Sequence, residues 1–212
     1  LGDVYKRQIG CDVPETIILA DGDFPSHPLA LEWLRQCPYV VCCDGAANTY
    51  IRSGRMPEAI VGDGDSLLPD IKERYASLIH SEAEQETNDL SKAFRFCLSQ
   101  ERKRITIMGA TGKREDHTIG NVSLLADYME QAEVSMMTDY GIFVPIREDS
   151  MFESYIGQQI SVFNMNSTAL SAEGLAYPLS VFTNWWQGTL NEALARHFII
   201  RTEGKVLVFR VF

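Results

Sequence analysis

Acidic residues and glycines stand directly after four short apolar runs in this chain. Three of these runs end at the acidic loops Asp21-Gly22-Asp23, Asp44-Gly45 and Gly62-Asp63-Gly64-Asp65, and the fourth ends at Gly109-Ala110-Thr111-Gly112. Each run is typical of a buried parallel strand, and open α/β sheets bind ligands at the carboxyl ends of such strands. We therefore expect the four loops to meet at one sheet edge, where carboxylates suit a metal ion and a glycine loop suits a polyphosphate.

The closest pair of acidic residues in these loops is Asp63 and Asp65, on either side of Gly64. In an extended segment, side chains two residues apart point to the same side. Two carboxylates placed in this way can bind one Mg²⁺, which prefers oxygen ligands and keeps its other positions for water and phosphate oxygens. An ordinary Asp-Gly turn would show the same residues, so the pair alone leaves both interpretations open.

A second polar group lies at the predicted start of a helix and consists of Gln85, Asn88, Asp89 and Lys92. A carboxylate at Asp89 would favour the positive end of the helix, and Lys92 would lie on the same face. Taken alone, this group favours a capped helix with a surface ion pair. If the group lies beside the acidic loops, Asp89 would be a third carboxylate ligand of the metal and Lys92 would bind phosphate.

The glycine loop continues as Lys113-Arg114-Glu115-Asp116-His117 and lies between a predicted strand and a predicted helix. In that context backbone N–H groups bind anions, and Lys113 and Arg114 add positive charge. The spacing is neither that of a P-loop nor that of a dinucleotide fingerprint. The alternative interpretation, a flexible surface turn, therefore stays open. The four histidines have no metal-ligand spacing, which argues against zinc.

Composition excludes several classes of partner. The net charge of −10 and the lack of a basic stripe argue against nucleic acid as a partner. No apolar run approaches the roughly 18 residues of a membrane span, which argues against a membrane protein. The five cysteines are odd in number and form no Cys-x-x-Cys pair, which favours free thiols in the cytoplasm, and no secretory signal is visible. Residues 1–8 resemble translated adaptor sequence, and we expect no element there.

Strands and helices alternate through the first part of the chain, which predicts an α/β fold with a doubly wound, mostly parallel N-terminal sheet. The predicted strands are Ile17–Ala20, Val40–Cys43, Ala59–Val61, Ile105–Met108 and Val134–Met137. The predicted helices are Pro28–Gln36, Ala46–Gly54, Asp89–Ser99 and Thr118–Gln131.

After about Asp139 the pattern changes to short runs separated by turns, which predicts a smaller C-terminal all-β sandwich domain. Its predicted strands are Gly141–Val144, Gln159–Phe163, Leu179–Thr183, Phe198–Arg201 and Lys205–Phe212. The turn Thr202-Glu203-Gly204 joins the last two as a hairpin. We therefore expect an α/β domain over residues 9–139 and a β-sandwich domain over residues 140–212.

Four motifs in this order resemble those of the thiamin pyrophosphokinase family: Cys43–Asn48, Val61–Ser66, Gln85–Leu90 and Gly109–His117. The resemblance covers roughly residues 16–212 and implies an α/β nucleotide-binding domain followed by a β-sandwich. It implies transfer of pyrophosphate from ATP to the thiamin hydroxyl, with Mg²⁺, giving thiamin diphosphate and AMP. It also implies a homodimer in which thiamin lies between the N-terminal domain of one subunit and the C-terminal domain of the other.

The resemblance also implies roles for individual residues. The implied Mg²⁺ ligands are Asp63, Asp65 and Asp89, and the implied catalytic residues are Asp65, Asp89, Asp116, Arg114 and Lys92. The implied contacts to nucleotide and thiamin are Asp44, Asn48, Gln85, Asn88, Gly109, Thr111, Gly112, Lys113, Tyr177 and Asn191. Asp65, Asp89 and Asp116 all stay open as the general base.

Aromatic residues of the β half could stack on thiamin, a cation with flat rings. The candidates are Tyr177, Trp185 and Trp186, and for either Trp alone a place in the sandwich core is the stronger interpretation.

Three positions depart from the family pattern, and none of them removes a carboxylate. Gly64 stands where the family often has Phe, Asn88 where it has Thr, and Leu190 where it has Ser. Two alternative functions stay open on the same scaffold. One is a different Mg²⁺-dependent phosphotransferase or phosphohydrolase, and the other is a non-catalytic nucleotide-binding module.

Overall fold

The computed structural model describes residues 5–7, 12–82 and 86–212. Strand β1 is Tyr5–Arg7, which corrects the expectation that residues 1–8 contain no element. The chain divides into two compact units. One is Val13–Asp139, and the other contains Tyr140–Phe212 together with β1. Within the described residues, no helix combines the length and apolar composition that a membrane span requires.

The first unit is built on a sheet of parallel strands. They are β2 (Thr16–Leu19), β3 (Val40–Cys43), β4 (Ala59–Gly62), β5 (Ile79–Ser81), β6 (Arg104–Met108) and β7 (Glu133–Met137). Their order is β7-β6-β2-β3-β4-β5, and each neighbouring pair is parallel. The strand order reverses at β2, and this is the point where α/β sheets bind ligands.

Helices accompany this sheet, which explains why the central strands are continuous apolar runs rather than alternating ones. They are α1 (Pro28–Gln36), α2 (Ala46–Arg52), α3 (Pro69–Arg74), α4 (Asp89–Ser99) and α5 (Glu115–Tyr128), with a 3₁₀ turn at Ala76–Leu78. Helix α5 begins three residues before the predicted Thr118, because Glu115 and Asp116 favour the positive end of a helix. The ring of Phe94 in α4 stacks on that of Tyr128 in α5 at 3.9 Å.

The second unit contains two sheets. Its further strands are β8 (Gly141–Ile146), β9 (Ser150–Glu153), β10 (Gln159–Asn164), β11 (Leu170–Glu173), β12 (Asn191–Glu192), β13 (His197–Thr202) and β14 (Val206–Val211). One sheet has the order β1-β9-β13-β11, and the strands of the other follow β12-β10-β14-β8. Apart from the parallel pair of β1 and β9, the described pairings within this unit are antiparallel.

The contact of Arg210 with Phe152 lies between these two sheets and supports the predicted sandwich. Phe152 of β9 stacks on Phe198 of β13 at 5.0 Å, and both are fully buried. The guanidinium of Arg210, from β14 in the other sheet, lies 4.8 Å from the Phe152 ring centre. The two sheets therefore share one core.

The predicted strand Leu179–Thr183 is wrong, because this segment contains no strand. The backbone N–H groups of Thr183 and Asn184 donate to the side-chain oxygen of Gln187 at 3.1 and 2.8 Å. These bonds form the cap of a 3₁₀ turn at Trp185–Gly188. These two backbone N–H groups are therefore bonded within the cap and are not available for pairing with a neighbouring strand.

Candidate active site

Three carboxylates meet at the carboxyl ends of β3 and β4. Asp44, Asp63 and Asp65 each offer an oxygen within 4.8 Å of the other two. The parallel pairing of β3 with β4 brings Asp44 beside the loop that carries the other two acids. Oxygen ligands at this spacing suit Mg²⁺.

Asp44 is the buried member of this cluster, with 3% of its surface exposed. One carboxylate oxygen, Oδ2, accepts the N–H of Ser66 at 3.1 Å, while Oδ1 is buried without a hydrogen-bond partner. The pKa of Asp44 is raised to about 6, mainly by burial and in addition by the neighbouring acids Asp65, Asp89 and Asp63. A buried carboxylate oxygen without a partner is costly, and a bound cation would satisfy it.

The loop after β4 is ordered by bonds within and around it. Asp63 accepts the N–H of Asp65 at 3.1 Å, and Asp65 accepts the hydroxyl of Ser66 at 3.0 Å. The Ser66 hydroxyl lowers the pKa of Asp65. The ammonium of Lys72 in α3 donates to the carbonyl of Gly64 at 2.7 Å. These contacts fix the loop between the two exposed carboxylates.

Asn48, a predicted nucleotide contact, supports this same loop. Its Nδ2 donates to the carbonyl of Ser66 at 2.8 Å, and its Oδ1 accepts the N–H of Leu68 at 3.0 Å. Both ends of the amide are thus bonded to the backbone that follows the acidic pair.

The start of α4 carries the second predicted group. Asn88 is the N-cap, with Oδ1 accepting the N–H of Ser91 at 2.9 Å, and its Nδ2 donates to Asn121 at 3.2 Å. Lys92 is buried and lies 3.3 Å from the carboxylate of half-buried Asp89.

Asp89 differs from the other two predicted metal ligands in its placement. Among the described residues, the group of mutually close oxygens contains Asp44 and not Asp89. The charge of Asp89 nevertheless helps to raise the pKa of Asp44, so Asp89 lies within electrostatic range of the cluster. Gln85, predicted beside it, lies outside the described residues.

The glycine loop after β6 lies at the same edge of the sheet. Gly109, Gly112 and Lys113 have positive φ values of 63°, 80° and 56°. The carbonyl of Ala110 accepts the side-chain N–H of Asn121 at 2.8 Å, which ties the loop to α5. Thr111 also lies in this loop, and its carbonyl accepts a backbone N–H from the loop after β2.

Arg114 and Asp116 form an exposed, two-bonded ion pair at the start of α5. The distances are 2.6 Å from Nη2 to Oδ2 and 3.1 Å from Nε to Oδ1. The hydrogen bonds from Arg114 lower the pKa of Asp116, and those same bonds raise the pKa of Arg114. Both predicted catalytic groups are therefore engaged with each other.

In the second unit, Asn191 holds the backbone of Tyr177. Its Oδ1 accepts the Tyr177 N–H at 3.0 Å and its Nδ2 donates to the Tyr177 carbonyl at 2.8 Å. Asn191 is buried, whereas 64% of Tyr177 is exposed. Trp186 is 73% exposed, so it is not a core residue, and Trp185 is half exposed with its ring 6.1 Å from that of Phe163.

Several residues that shape the site were not assigned a role from the sequence. Ser66 follows the acidic pair directly, which is a signal that could have been used. Lys72 and Asn121 act through contacts between elements, and their spacing in the sequence carries no comparable signal.

Comparison with known proteins gives matches over both units. Residues 30–137 match the family model of the thiamin pyrophosphokinase catalytic domain, and residues 141–209 match that of the thiamin pyrophosphokinase substrate-binding domain.

Curated relatives are similar over part of their length. A thiamine pyrophosphokinase 1 of Oryza sativa subsp. japonica is 30% identical over 129 residues, covering 49% of this chain and 49% of the relative. The thiamine pyrophosphokinase of Bacillus subtilis (strain 168) is 34% identical over 86 residues, covering 39% and 40%. The chain thus spans about half the length of the curated relatives it matches.

Solved structures show the same fold over more of the chain. The thiamin pyrophosphokinase from Candida albicans has a TM-score of 0.78 at 18% identity, covering 99% of this chain and 93% of that one. The yeast thiamin pyrophosphokinase has a TM-score of 0.80 at 17% identity, covering 99% and 92%. At these identities the likeness concerns the fold.

Proposed function

The chain belongs to the thiamin pyrophosphokinase family, and from this membership we propose that it transfers a pyrophosphoryl group from ATP to the hydroxyl of thiamin. The products are thiamin diphosphate and AMP. The observation that carries the proposal is the acidic cluster at the sheet edge, with its unpartnered oxygen on Asp44, on the same edge as the glycine loop.

A magnesium ion fits the acidic cluster. Asp44, Asp63 and Asp65 are its proposed ligands, and Asp89 stays a predicted one. When bound, the ion neutralises phosphate charge and fixes phosphate oxygens in place. Asn48 and Lys72 form hydrogen bonds to the backbone of the loop that carries Asp63 and Asp65. The positions of these two ligands are therefore fixed by the protein itself.

The glycine loop is the proposed site for the phosphates of ATP. We place the phosphates on the backbone N–H groups of Gly109, Thr111 and Gly112, in a loop where Gly109, Gly112 and Lys113 have positive φ values. Lys113, Arg114 and Lys92 supply positive charge around it. Transfer of this kind depends mainly on positioning and charge stabilisation.

The thiamin hydroxyl must lose a proton during the reaction, and three carboxylates were open for this role. Arg114 donates to both oxygens of Asp116, so both are already engaged in an ion pair and Asp116 is a poor acceptor for the hydroxyl proton. We therefore favour Asp65 or Asp89 as the general base.

The exposed aromatic residues of the second unit are proposed to bind thiamin. Tyr177 and Trp186 present flat faces to solvent, and cationic rings bind such faces. Asn191 contributes by holding the backbone of Tyr177. We propose a homodimer as the working unit, and the cytoplasm as its location, because the described cysteines are free thiols.

Product analysis tests the proposed reaction. Purified protein is incubated with thiamin, ATP and Mg²⁺, and both the nucleotide and the thiamin products are separated by chromatography. We expect AMP and thiamin diphosphate in equal amounts, and neither product when a chelator removes the divalent cation. Formation of ADP with thiamin monophosphate would identify a different phosphotransferase, and ATP consumption without any thiamin product would identify a phosphohydrolase.

A further inference from the structure

The loop Asp21-Gly22-Asp23 has no part in the proposed function, although it follows a strand at the same sheet edge. Strand β2 lies between β6 and β3, so this loop is placed between the glycine loop and the loop Asp44-Gly45. We infer that Asp21 is a positioning residue that holds the ammonium group of Lys113 in place for a phosphate oxygen of the nucleotide. The inference rests on the proposed function for the identity of the nucleotide.

Backbone bonds join this loop to the glycine loop. Gly22 donates its N–H to the carbonyl of Gly109 at 2.6 Å, and Asp23 donates to the carbonyl of Thr111 at 2.9 Å. A Cβ atom at Gly22 would lie 2.4 Å from each of these two carbonyl oxygens, so the approach requires glycine. The two loops therefore form one hydrogen-bonded structure beyond the ends of their strands.

Lys113 extends from this structure and is bound at its tip by Asp21. Its Nζ lies 2.8 Å from the carbonyl oxygen of Asp21 and 3.1 Å from Oδ1 of the same residue. An ammonium group has three donors, so these two contacts leave one for a phosphate oxygen. A long side chain that is already ordered loses less conformational entropy when the anion binds.

The other oxygen of Asp21 faces the metal side of the site. A Cβ atom at Gly45 would lie 2.7 Å from Oδ2 of Asp21, so the glycine makes room for this carboxylate. Gly45 directly follows Asp44 of the acidic cluster. Asp21 thus lies between the proposed metal ligands and the proposed phosphate lysine, and it can fix the distance between them.

A double-mutant cycle tests whether Asp21 acts through Lys113. The variants are Asp21→Ala, Lys113→Met and their combination, and calorimetry measures the Kd of the Mg²⁺ complex of a non-hydrolysable ATP analogue. We expect Asp21→Ala to raise this Kd about fivefold, as for a charged hydrogen bond that is half exposed. In the Lys113→Met background the same change should have no further effect. Asp21→Asn should restore most of the affinity, because its amide oxygen can still accept from the lysine.

The ion pair of Glu15 with Arg104 is a matched control, because it joins the amino ends of β2 and β6. Its atoms are 2.7 Å apart and its side chains are about as exposed as those of Asp21 and Lys113. Glu15→Ala should leave the analogue Kd unchanged. Circular dichroism of every variant shows whether it folds.

Two results would overturn the inference. One is an unchanged Kd in Asp21→Ala. The other is a rise in Kd on Asp21→Ala that is equally large whether residue 113 is Lys or Met. This result would mean that Asp21 acts on the loop backbone. The wild-type chain is assayed for thiamin diphosphate in parallel. A chain that binds the analogue with the expected coupling but makes no thiamin diphosphate would refute the proposed function and leave the role of Asp21 standing.

Discussion

At the scale of single residues, the acidic cluster contains a buried carboxylate whose ionised form is energetically unfavourable. Asp44 is almost fully buried next to two exposed carboxylates, and one of its oxygens has no partner. Without a cation, ionised Asp44 is unfavourable both because it is desolvated and because its neighbours repel it. The same features make the cluster receptive to a divalent ion.

The pH dependence of stability should reveal this unfavourable ionisation in metal-free protein. The pKa of Asp44 is about 6 in the folded chain and about 4 in an unfolded one. Between these values the folded state keeps a proton that the unfolded state has lost. Asp44 therefore contributes to the free energy of unfolding below about pH 4, and this contribution is lost as the pH rises through 6. The free energy of unfolding should fall by at most about 3 kcal/mol over this range.

Asp44→Asn should remove this part of the pH dependence. With a chelator present, we expect a higher Tm than wild type at pH 7 and a flatter Tm profile between pH 4 and 6. Differential scanning calorimetry of both proteins measures this. Parallel profiles for the two proteins would show that Asp44 has an ordinary pKa.

Asp63→Asn tests the metal site through an exposed member of the cluster. The change keeps the shape of the side chain and removes its charge, so we expect the fold to persist and the transfer rate to fall by about 100-fold or more. Titration with Mg²⁺ or Mn²⁺ should show a weaker Kd for the ion. Glu73→Gln, at an exposed position in α3, is the control for loss of one nearby negative charge. Equal ion affinity in both variants would remove Asp63 from the metal site.

At the scale of elements, the cap of α4 couples helix stability to the site. Asn88 accepts the N–H of Ser91, and the next residue is the predicted ligand Asp89. Loss of an N-cap side chain costs about 1 kcal/mol.

We expect Asn88→Ala to lower the free energy of unfolding by about 1 kcal/mol. Asn88→Thr should keep most of that stability, because Thr also caps helices through its side-chain oxygen. Urea denaturation measures the three proteins side by side. If the Ala and Thr variants lose equal stability, the cap is not what Asn88 contributes to the fold.

The elements that the sequence predicted best are those with a long apolar pattern or a defined start. Helices α1 and α4 begin and end as expected, because Pro28 and Asn88 mark their starts and an apolar stripe runs through each. The short elements α3 and β5 were missed, since six and three residues are too few for a periodic pattern. Leu179–Thr183 showed a strand-like pattern, but the capping bonds of Gln187 decide its structure.

The acids and loops of the candidate site were named from the sequence, and their catalytic and binding roles stay predictions. The partners of individual side chains were not predicted. The sheet edge brings Asp63 and Asp65 together as expected, while Asp44 takes the third place in the cluster. The roles of Asn48 and Asn191 depend on which backbone groups lie within reach of their amides. Such tertiary contacts leave no trace in residue spacing, so both asparagines were predicted only as ligand contacts.

At the scale of the whole molecule, the candidate functional residues are divided between the two units. The first unit carries the acidic cluster and the glycine loop, and the second carries exposed aromatic residues such as Tyr177 and Trp186. The proposed transfer from ATP to thiamin would use both sets. As the resemblance to the family implies, we predict a homodimer in which the first unit of one chain and the second unit of the other complete each site.

Subunit complementation tests this prediction. Asp63→Asn and Tyr177→Ala chains are each expected to be nearly inactive, because one lacks a metal ligand and the other lacks the aromatic face for thiamin. When the two are mixed and exchange subunits, a mixed dimer has one site that carries both changes and one site that carries neither. With random exchange, half of the dimers are mixed, so about a quarter of the wild-type activity should return. If exchange is demonstrated by differently tagged chains and no activity returns, each site is built within a single chain, and the second unit of the same chain must supply the thiamin contacts.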